Sequence, residues 1–357
     1  MHNQPQYDIV IIGAGPAGSN LARLIDSVRY RVLLLDASTM RVKVCAGLLS
    51  PDAQRLFDRY GIVLPQDIFV DPQLCSVRVI DLAEPCVRHY RRSYLNVDRT
   101  AFDSYLRGLV PPSVDVMQAR CHRIERIHNG YRLHVHHASD KQIQIDTHHI
   151  VGADGASSLV RSTLFASQNI QKYVAIQQWF AAEAIDPYYS CIFDRATSES
   201  CSWIFFKQGQ LVFGGAFSPK GCRVAFEAQK RKLIEQGIVP AHIFDHPLKT
   251  EACRVSRPHL HNGIYHGDRS AYLIGEAAGF ISPSSFEGIS YALASSEALA
   301  AAFNSVKDDS DILRIYRKKS SRLCHKIRLK CFKRPFMYVP CLRKWILKTG
   351  LGSSKRI

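Results

Sequence analysis

The segment that most constrains this chain comes almost at once. Tyr7 to Ile12 is a buried-strand pattern with the apolar run Ile9 to Ile12, it passes directly into Gly13-Ala14-Gly15-Pro16-Ala17-Gly18, and an apolar helical pattern follows through Leu21, Ala22, Leu24 and Ile25. Strand, G-x-G-x-x-G turn and helix in that order open a Rossmann-like unit. Gly13 permits the tight turn, Gly15 lets the backbone approach a pyrophosphate, and Gly18 allows the helix to pack closely on the strand. A second apolar strand, Arg31 to Asp36, ends in an acid placed to accept hydrogen bonds from ribose hydroxyls. The unit is therefore expected to hold a dinucleotide at the positive end of a helix.

The first unit does not choose between NAD and FAD, but two later segments favour FAD. Ile150 to Arg161 reads as a strand, a Gly152-Ala153-Asp154-Gly155 turn and a helix start; Ala271 to Gly279 reads as a strand ending in Gly275-Glu276-Ala277-Ala278-Gly279. Glu287-Gly288-Ile289 then opens a long Ala-rich helix. Small residues at such turns let backbone amides reach an anionic or strongly polar group.

Together with Arg99-x-x-Phe102-Asp103, these segments resemble the FAD-dependent oxidoreductases of the para-hydroxybenzoate hydroxylase fold. Within that group the chain is most similar to the geranylgeranyl reductases, in particular their CbrA-like branch. Two segments carry the narrower likeness: Val44-Cys45-Ala46-Gly47-Leu48, similar to a C-G-G segment, and Ser202-Trp203-Ile204-Phe205, similar to Y-x-W-x-F-P. The departures are Glu276 for the usual Asp, Asp36 for the usual Glu, and Cys201 and Phe206 for the Tyr and Pro of the last motif.

The resemblance implies FAD as cofactor. Gly13, Ala14, Gly15, Pro16, Ala17 and Gly18 would cradle its pyrophosphate and Asp36 its adenosine ribose, with Arg99 nearby and Cys121 against the adenine. Asp154, Gly155, Gly275, Glu276, Gly288 and Ile289 would close around the ribityl chain and ring, and Cys45, Ala46 and Gly47 would lie beside the flavin. Cys45, Trp203 and Phe205 are the candidate catalytic residues. The implied reaction is reduction of carbon–carbon double bonds in an isoprenoid chain on a lipid or lipid-linked substrate, with NAD(P)H or a ferredoxin-like protein as reductant. A monooxygenase acting on an apolar substrate and a flavin-containing binding protein without turnover are the alternatives.

The expected architecture is α/β. A discontinuous FAD-binding domain (1–70, 96–165 and 265–305) is interleaved with a mainly antiparallel substrate domain (71–95 and 166–264), and a basic helical segment (306–357) follows. Eleven aromatic residues between Tyr173 and Phe217 are expected to line a substrate cavity. Cys191, Cys201 and Cys253 read as packing residues. His134, His136, His137, His148 and His149 read as exposed strand positions, because no Cys or carboxylate is spaced to complete a metal site, so no metal is expected.

Charge adds a last constraint. The chain carries 47 Lys and Arg against 31 Asp and Glu, a net charge of +16. Fifteen of the basic residues lie between Arg314 and Ile357, where there is no acid. In this stretch a helical pattern from Tyr316 to Cys331 is followed by a part expected to be broken at Pro335 and Pro340, with Phe336, Trp345 and Ile346 among Arg343, Lys344 and Lys348. Basic charge interleaved with aromatics reads as an interfacial element that meets an anionic membrane, not a nucleic acid. No run of 18 uncharged apolar residues occurs, so the expectation is a cytoplasmic protein bound peripherally at the inner face of the cytoplasmic membrane, without a spanning helix.

Overall fold

The computed structural model describes residues 6–37, 45–83, 86–182, 187–261, 263–350 and 353. In chain order the first half contains β1 (Tyr7–Ile12), α1 (Pro16–Leu24), β2 (Val32–Asp36), β3 (Leu48–Leu49), α2 (Pro51–Tyr60), β4 (Leu74–Asp81), β5 (Cys86–Asn96) and α3 (Arg99–Gly108). There follow β6 (Asp115–Ile127), β7 (Gly130–His137), β8 (Gln142–Gly152), α4 (Leu159–Leu164), β9 (Gln171–Ala181), β10 (Tyr188–Phe193), β11 (Cys201–Lys207) and β12 (Gln210–Phe217). The remainder is α5 (Cys222–Glu235), β13 (Lys249–Arg257), β14 (Gly267–Asp268), β15 (Ala271–Leu273), α6 (Ile289–Ser305), α7 (Ile312–Lys319), α8 (Ser321–Tyr338) and α9 (Pro340–Thr349).

Two sheets result. In the first, β6, β2, β1, β8 and β15 run parallel, as expected for strands buried on both faces. Strands β6 and β8 are long enough to serve twice. Asp115 to Gln118 pair with β2, while Ala119 to Ile127 turn back to pair antiparallel with β7, which in turn pairs with the start of β8. The second sheet has the order β13-β9-β12-β11-β10-β4-β5-β3 and is antiparallel except where β10 meets β4. This is the expected α/β architecture with interleaved sheets.

Helices α1 and α6 pack against each other over the first sheet, joined by Asn20 Nδ2, which donates to Leu293 O at 3.1 Å and to Ser296 Oγ at 2.8 Å. Helix α6 is apolar almost all round and is buried accordingly. Helix α5 covers the second sheet, where Phe213 stacks on Phe226 at 4.9 Å.

The basic C-terminal segment departs from expectation in two ways. Pro335 does not break the helix: α8 continues to Tyr338, and the break falls at Pro340, the first residue of α9. Pro335 is exposed, so the carbonyl its missing N–H leaves free can turn to water. The segment is also docked, with part of its charge consumed by the body. Tyr316 is fully buried and donates to Leu273 O at 2.9 Å, Lys326 meets Asp52 at 2.5 Å, and Arg343, 3% exposed, pairs through two nitrogens with Asp81.

His149 also differs from expectation. It is 5% exposed and its Nε2 lies 3.0 Å from Asp309, because the end of β8 runs into the sheet interior. Among the described residues no group of three His, Cys, Asp or Glu side chains is placed to hold a metal ion.

Candidate cofactor and substrate site

The C-terminal ends of β1, β8 and β15 lie side by side in the first sheet, with Ile12 and Leu273 both in register with Gly152, and they lead into turns whose backbone only glycine tolerates. Gly13 has φ +105° and a Cβ there would stand 2.8 Å from Ala153 O; at Gly18 a Cβ would stand 1.8 Å from Gly13 O. Gly15, the residue preceding α1, has open space in front of it, and no side chain caps the helix. Ala14 and Pro16 are buried in the turn, and Ala17 abuts Gly275, whose φ is +56°. The three segments read as cradle elements therefore meet in space, although they lie up to about 260 residues apart in sequence.

Several polar groups stand on these strands and turns. Asp36, 1% exposed at the end of β2, accepts from Gln118 Nε2 at 2.9 Å and lies 3.3 Å from Arg107 Nε. Asp154 Oδ2 accepts from the amides of Leu159 and Val160 at 2.6 and 3.3 Å, which fixes the start of α4. Its Oδ1 is buried with no hydrogen-bond partner, and burial raises the carboxyl pKa. Cys121, on β6, is buried beside Asp154; burial first and that carboxylate second lift its thiol to about 12. Gly155 has φ +73°. Glu276 Oε1 accepts from the Ser256 amide at 2.8 Å and so ties the turn to β13. Gly288 immediately precedes α6, and Ile289 packs under it with Leu49 and Leu293.

The loop Cys45-Ala46-Gly47 leads into β3, and Gly47 O accepts from the Val97 amide at 2.9 Å. Burial works against the charge of Arg99, but Asp103 Oδ1 at 2.9 Å and the Cys45 sulfur outweigh it and hold the guanidinium firmly protonated. Lys207 is the residue that motif reading missed. It is 3% exposed, its Nζ donates to Ala46 O at 3.2 Å and Val97 O at 2.5 Å, and burial brings its pKa down to about 8. The sequence did hold a signal: Lys207 follows Trp203 and Phe205 at strand period and must share their face. Gly47, with φ +72°, leaves the space that Lys207 Nζ fills, since a Cβ would stand 2.6 Å from it.

Eight of the eleven expected lining aromatics fall into two groups, and Tyr173 and Phe193 lie in other clusters. Trp179, Tyr189, Trp203 and Phe205 gather with Ala46, Leu48 and Tyr94, and Trp203 lies against Gly214 with its Nε1 buried and unpartnered. Phe180, Phe206, Phe213 and Phe217 point the other way, into the core beneath α5. Strand alternation forces this split. Cys201 stands where the motif has Tyr. Cys191 and Tyr338 hydrogen-bond to it and Arg257 lies nearby, so its thiol pKa falls below the ordinary range while that of Cys191 rises.

No protein-family model matches the chain. Its fold is that of a geranylgeranyl bacteriochlorophyll reductase-like protein from Thermoplasma acidophilum (TM-score 0.78, 18% identity, 95% of this chain and 90% of that one). It is also that of pqsL, a probable FAD-dependent monooxygenase from Pseudomonas aeruginosa (TM-score 0.70, 14% identity, 96% and 98%). The architecture and the glycine turns thus define the class, that of the FAD-dependent oxidoreductase fold. In sequence the chain is 41% identical over 356 residues to Protein CbrA of Shigella flexneri serotype 5b, covering 97% of this chain and 94% of that protein. Protein CbrA of Escherichia coli O157:H7 is 40% identical over 352 residues, with 97% of each covered. The chain belongs to the CbrA family.

Proposed function

We propose that this chain is an FAD-dependent reductase that saturates carbon–carbon double bonds of an isoprenoid chain on a lipid or lipid-linked substrate. The buried, unpartnered Asp154 Oδ1 beside a glycine cradle with open space at Gly15 carries the cofactor part of this reading. An acceptor without a donor in a buried site costs about 1–3 kcal/mol, and a cofactor hydroxyl would supply the missing bond. Gly13, Gly15 and Gly18 would hold the pyrophosphate, Asp36 and Gln118 the adenosine end, and Gly275, Glu276, Gly288 and Ile289 the ribityl and ring end. FAD is also the cofactor named for the fold neighbour pqsL.

When bound and reduced, the flavin supplies a hydride to one alkene carbon. The chain's own work is then positioning and proton supply. Trp203, Phe205 and Tyr189 offer an apolar face to a prenyl chain beside the Cys45-Ala46-Gly47 loop. Lys207 fixes that loop through Ala46 O, and both Arg99 and Lys207 interact with Cys45 through their charge. Two cations beside a thiol favour its release of a proton, so Cys45 Sγ–H is assigned here as the proton donor for the second alkene carbon.

The test is anaerobic reduction of the FAD-loaded protein by NAD(P)H or a reduced ferredoxin, addition of prenyl lipid, and mass analysis of the product. A gain of two hydrogens per step is expected. Oxygen-dependent gain of one oxygen establishes a monooxygenase instead, and flavin that is never reoxidised leaves a binding protein.

A further inference from the structure

Helix α8 has two faces of opposite character. On the inward one Ile327 is 1% exposed, Tyr338 Oη donates to Ser284 O, Lys330 Nζ lies 3.4 Å from Ser282 Oγ, and Cys331 Sγ lies 3.7 Å from Pro258 O. Ser282 and Ser284 belong to the segment that leads from the Gly275–Ala278 turn into α6. On the outward one stand Leu329, Phe332 and Phe336, exposed to 47%, 61% and 46%. At 3.6 residues per turn these three fall within an arc of about 60°, opposite Ile327. With Trp345 on α9, they include every exposed Phe and Trp among the described residues.

The charge around this stripe is of one sign. Arg322, Arg328 and Lys333 flank it, and among the described residues none of the three forms an ion pair with a carboxylate. The whole stretch from Arg314 to Ile357 holds no acid. A second copy of the chain would bring the same positive charge against this face, so self-association there is opposed. No described helix is long and apolar enough to cross a membrane. An exposed apolar stripe on a fully basic helix is matched by an anionic lipid surface on which the helix lies flat.

We infer that the outward face of α8 docks this protein on an anionic phospholipid bilayer, with Leu329, Phe332 and Phe336 entering the acyl boundary and Arg322, Arg328 and Lys333 meeting headgroup phosphates. The inference rests on the lipid-substrate reading above and adds the surface that serves it. Because the inward face of the same helix touches Ser282 and Ser284, a chain seated this way holds the segment that leads into α6 about one helix diameter, roughly 10 Å, from the lipid.

The experiment is flotation of the full-length FAD-loaded protein with phosphatidylcholine vesicles, with and without phosphatidylglycerol. Binding is expected only with phosphatidylglycerol, falling with added salt. The triple variant Leu329→Ser/Phe332→Ser/Phe336→Ser and the separate variant Arg322→Gln/Arg328→Gln/Lys333→Gln should each bind at least about tenfold more weakly, with unchanged circular dichroism and flavin content. Equal binding to both vesicle types, or unchanged binding by both variants, overturns the inference. So does concentration-dependent dimerisation that the triple variant abolishes, which would assign the face to a second copy. Turnover of a detergent-dispersed prenyl substrate, measured in parallel, separates the two readings: both variants should keep it, and its absence in the unmodified protein counts against the reductase and not against docking.

Discussion

Lys207 lends itself to a quantitative test because its burial and its titration are coupled. Its folded pKa of about 8 stands below the ordinary lysine value of 10.5. The unfolded chain therefore binds the proton more tightly than the folded one. Below about pH 8 the residue is charged in both states and the fold bears the full penalty, which at 1.36 kcal/mol per unit is about 3 kcal/mol. Between about pH 8 and pH 10.5 the folded form gives up its proton first and the penalty fades, so stability from this residue rises with pH. Above that window it is neutral in both states.

A Lys207→Met variant lacks this titration. Urea unfolding of both proteins from about pH 7 to pH 10 should show their stability difference moving by about 2–3 kcal/mol in favour of the natural chain. The offset at neutral pH is smaller, because the variant also leaves the Ala46 and Val97 carbonyls without a donor, at about 1–3 kcal/mol each. Cys45, Asp98, Arg99 and Glu251 face the same ammonium, so the comparison should be repeated in a Cys45→Ser background to remove the thiol among them. A stability difference that stays flat across the window would refute the buried, desolvated ammonium.

Three further outcomes follow from the same structure. Gly18→Ala places a methyl 1.8 Å from Gly13 O and 3.2 Å from Ala153 Cβ, and should abolish FAD retention as read by flavin absorbance after gel filtration. Arg343→Met leaves the Asp81 carboxylate, 2% exposed, without its cation and should cost about 3–5 kcal/mol in thermal or urea unfolding, whereas Asp81→Asn/Arg343→Met together should recover most of it. His266 is held to a pKa of about 4 by burial and then by Arg317, so it stays neutral in the fold while the unfolded residue takes up a proton below about pH 6.5. Stability should therefore fall by about 2–3 kcal/mol from that residue as pH drops from about 6.5 to 4, and a His266→Gln variant should lose this part of the acid sensitivity.

The parts of the fold legible in the sequence were those where one residue type answers a local demand. Gly13, Gly18 and Gly275 sit where a Cβ would strike backbone or a neighbouring helix, so the turns announce themselves. The strand periods separated Trp203 and Phe205 from Phe206 in principle, but grouping all eleven aromatics as one lining ignored that separation. What stayed hidden depends on partners distant in the chain. Lys207 is buried because carbonyls from Ala46 and Val97 receive it, and His149 because Asp309 reaches β8. The basic segment looked free because Asp81 and Asp52, its partners, lie more than 250 residues upstream. Pro335 was expected to end a helix that tertiary contacts at Tyr338 carry past it.

The interleaving of the two sheets sets the order in which the chain can become a protein during synthesis. Strand β1 stays unpaired on one side until β8 has emerged, and the first sheet is closed only by β15 at Ala271 to Leu273. The second sheet waits for Lys249 to Arg257, and its early strands β3, β4 and β5 have no partner beyond each other until β10 is made. Neither sheet can finish before about three quarters of the chain has left the ribosome, and Asp81 remains an uncompensated charge until Arg343 follows near the end. Truncated chains of this family should accordingly be clients of chaperones, not stable fragments.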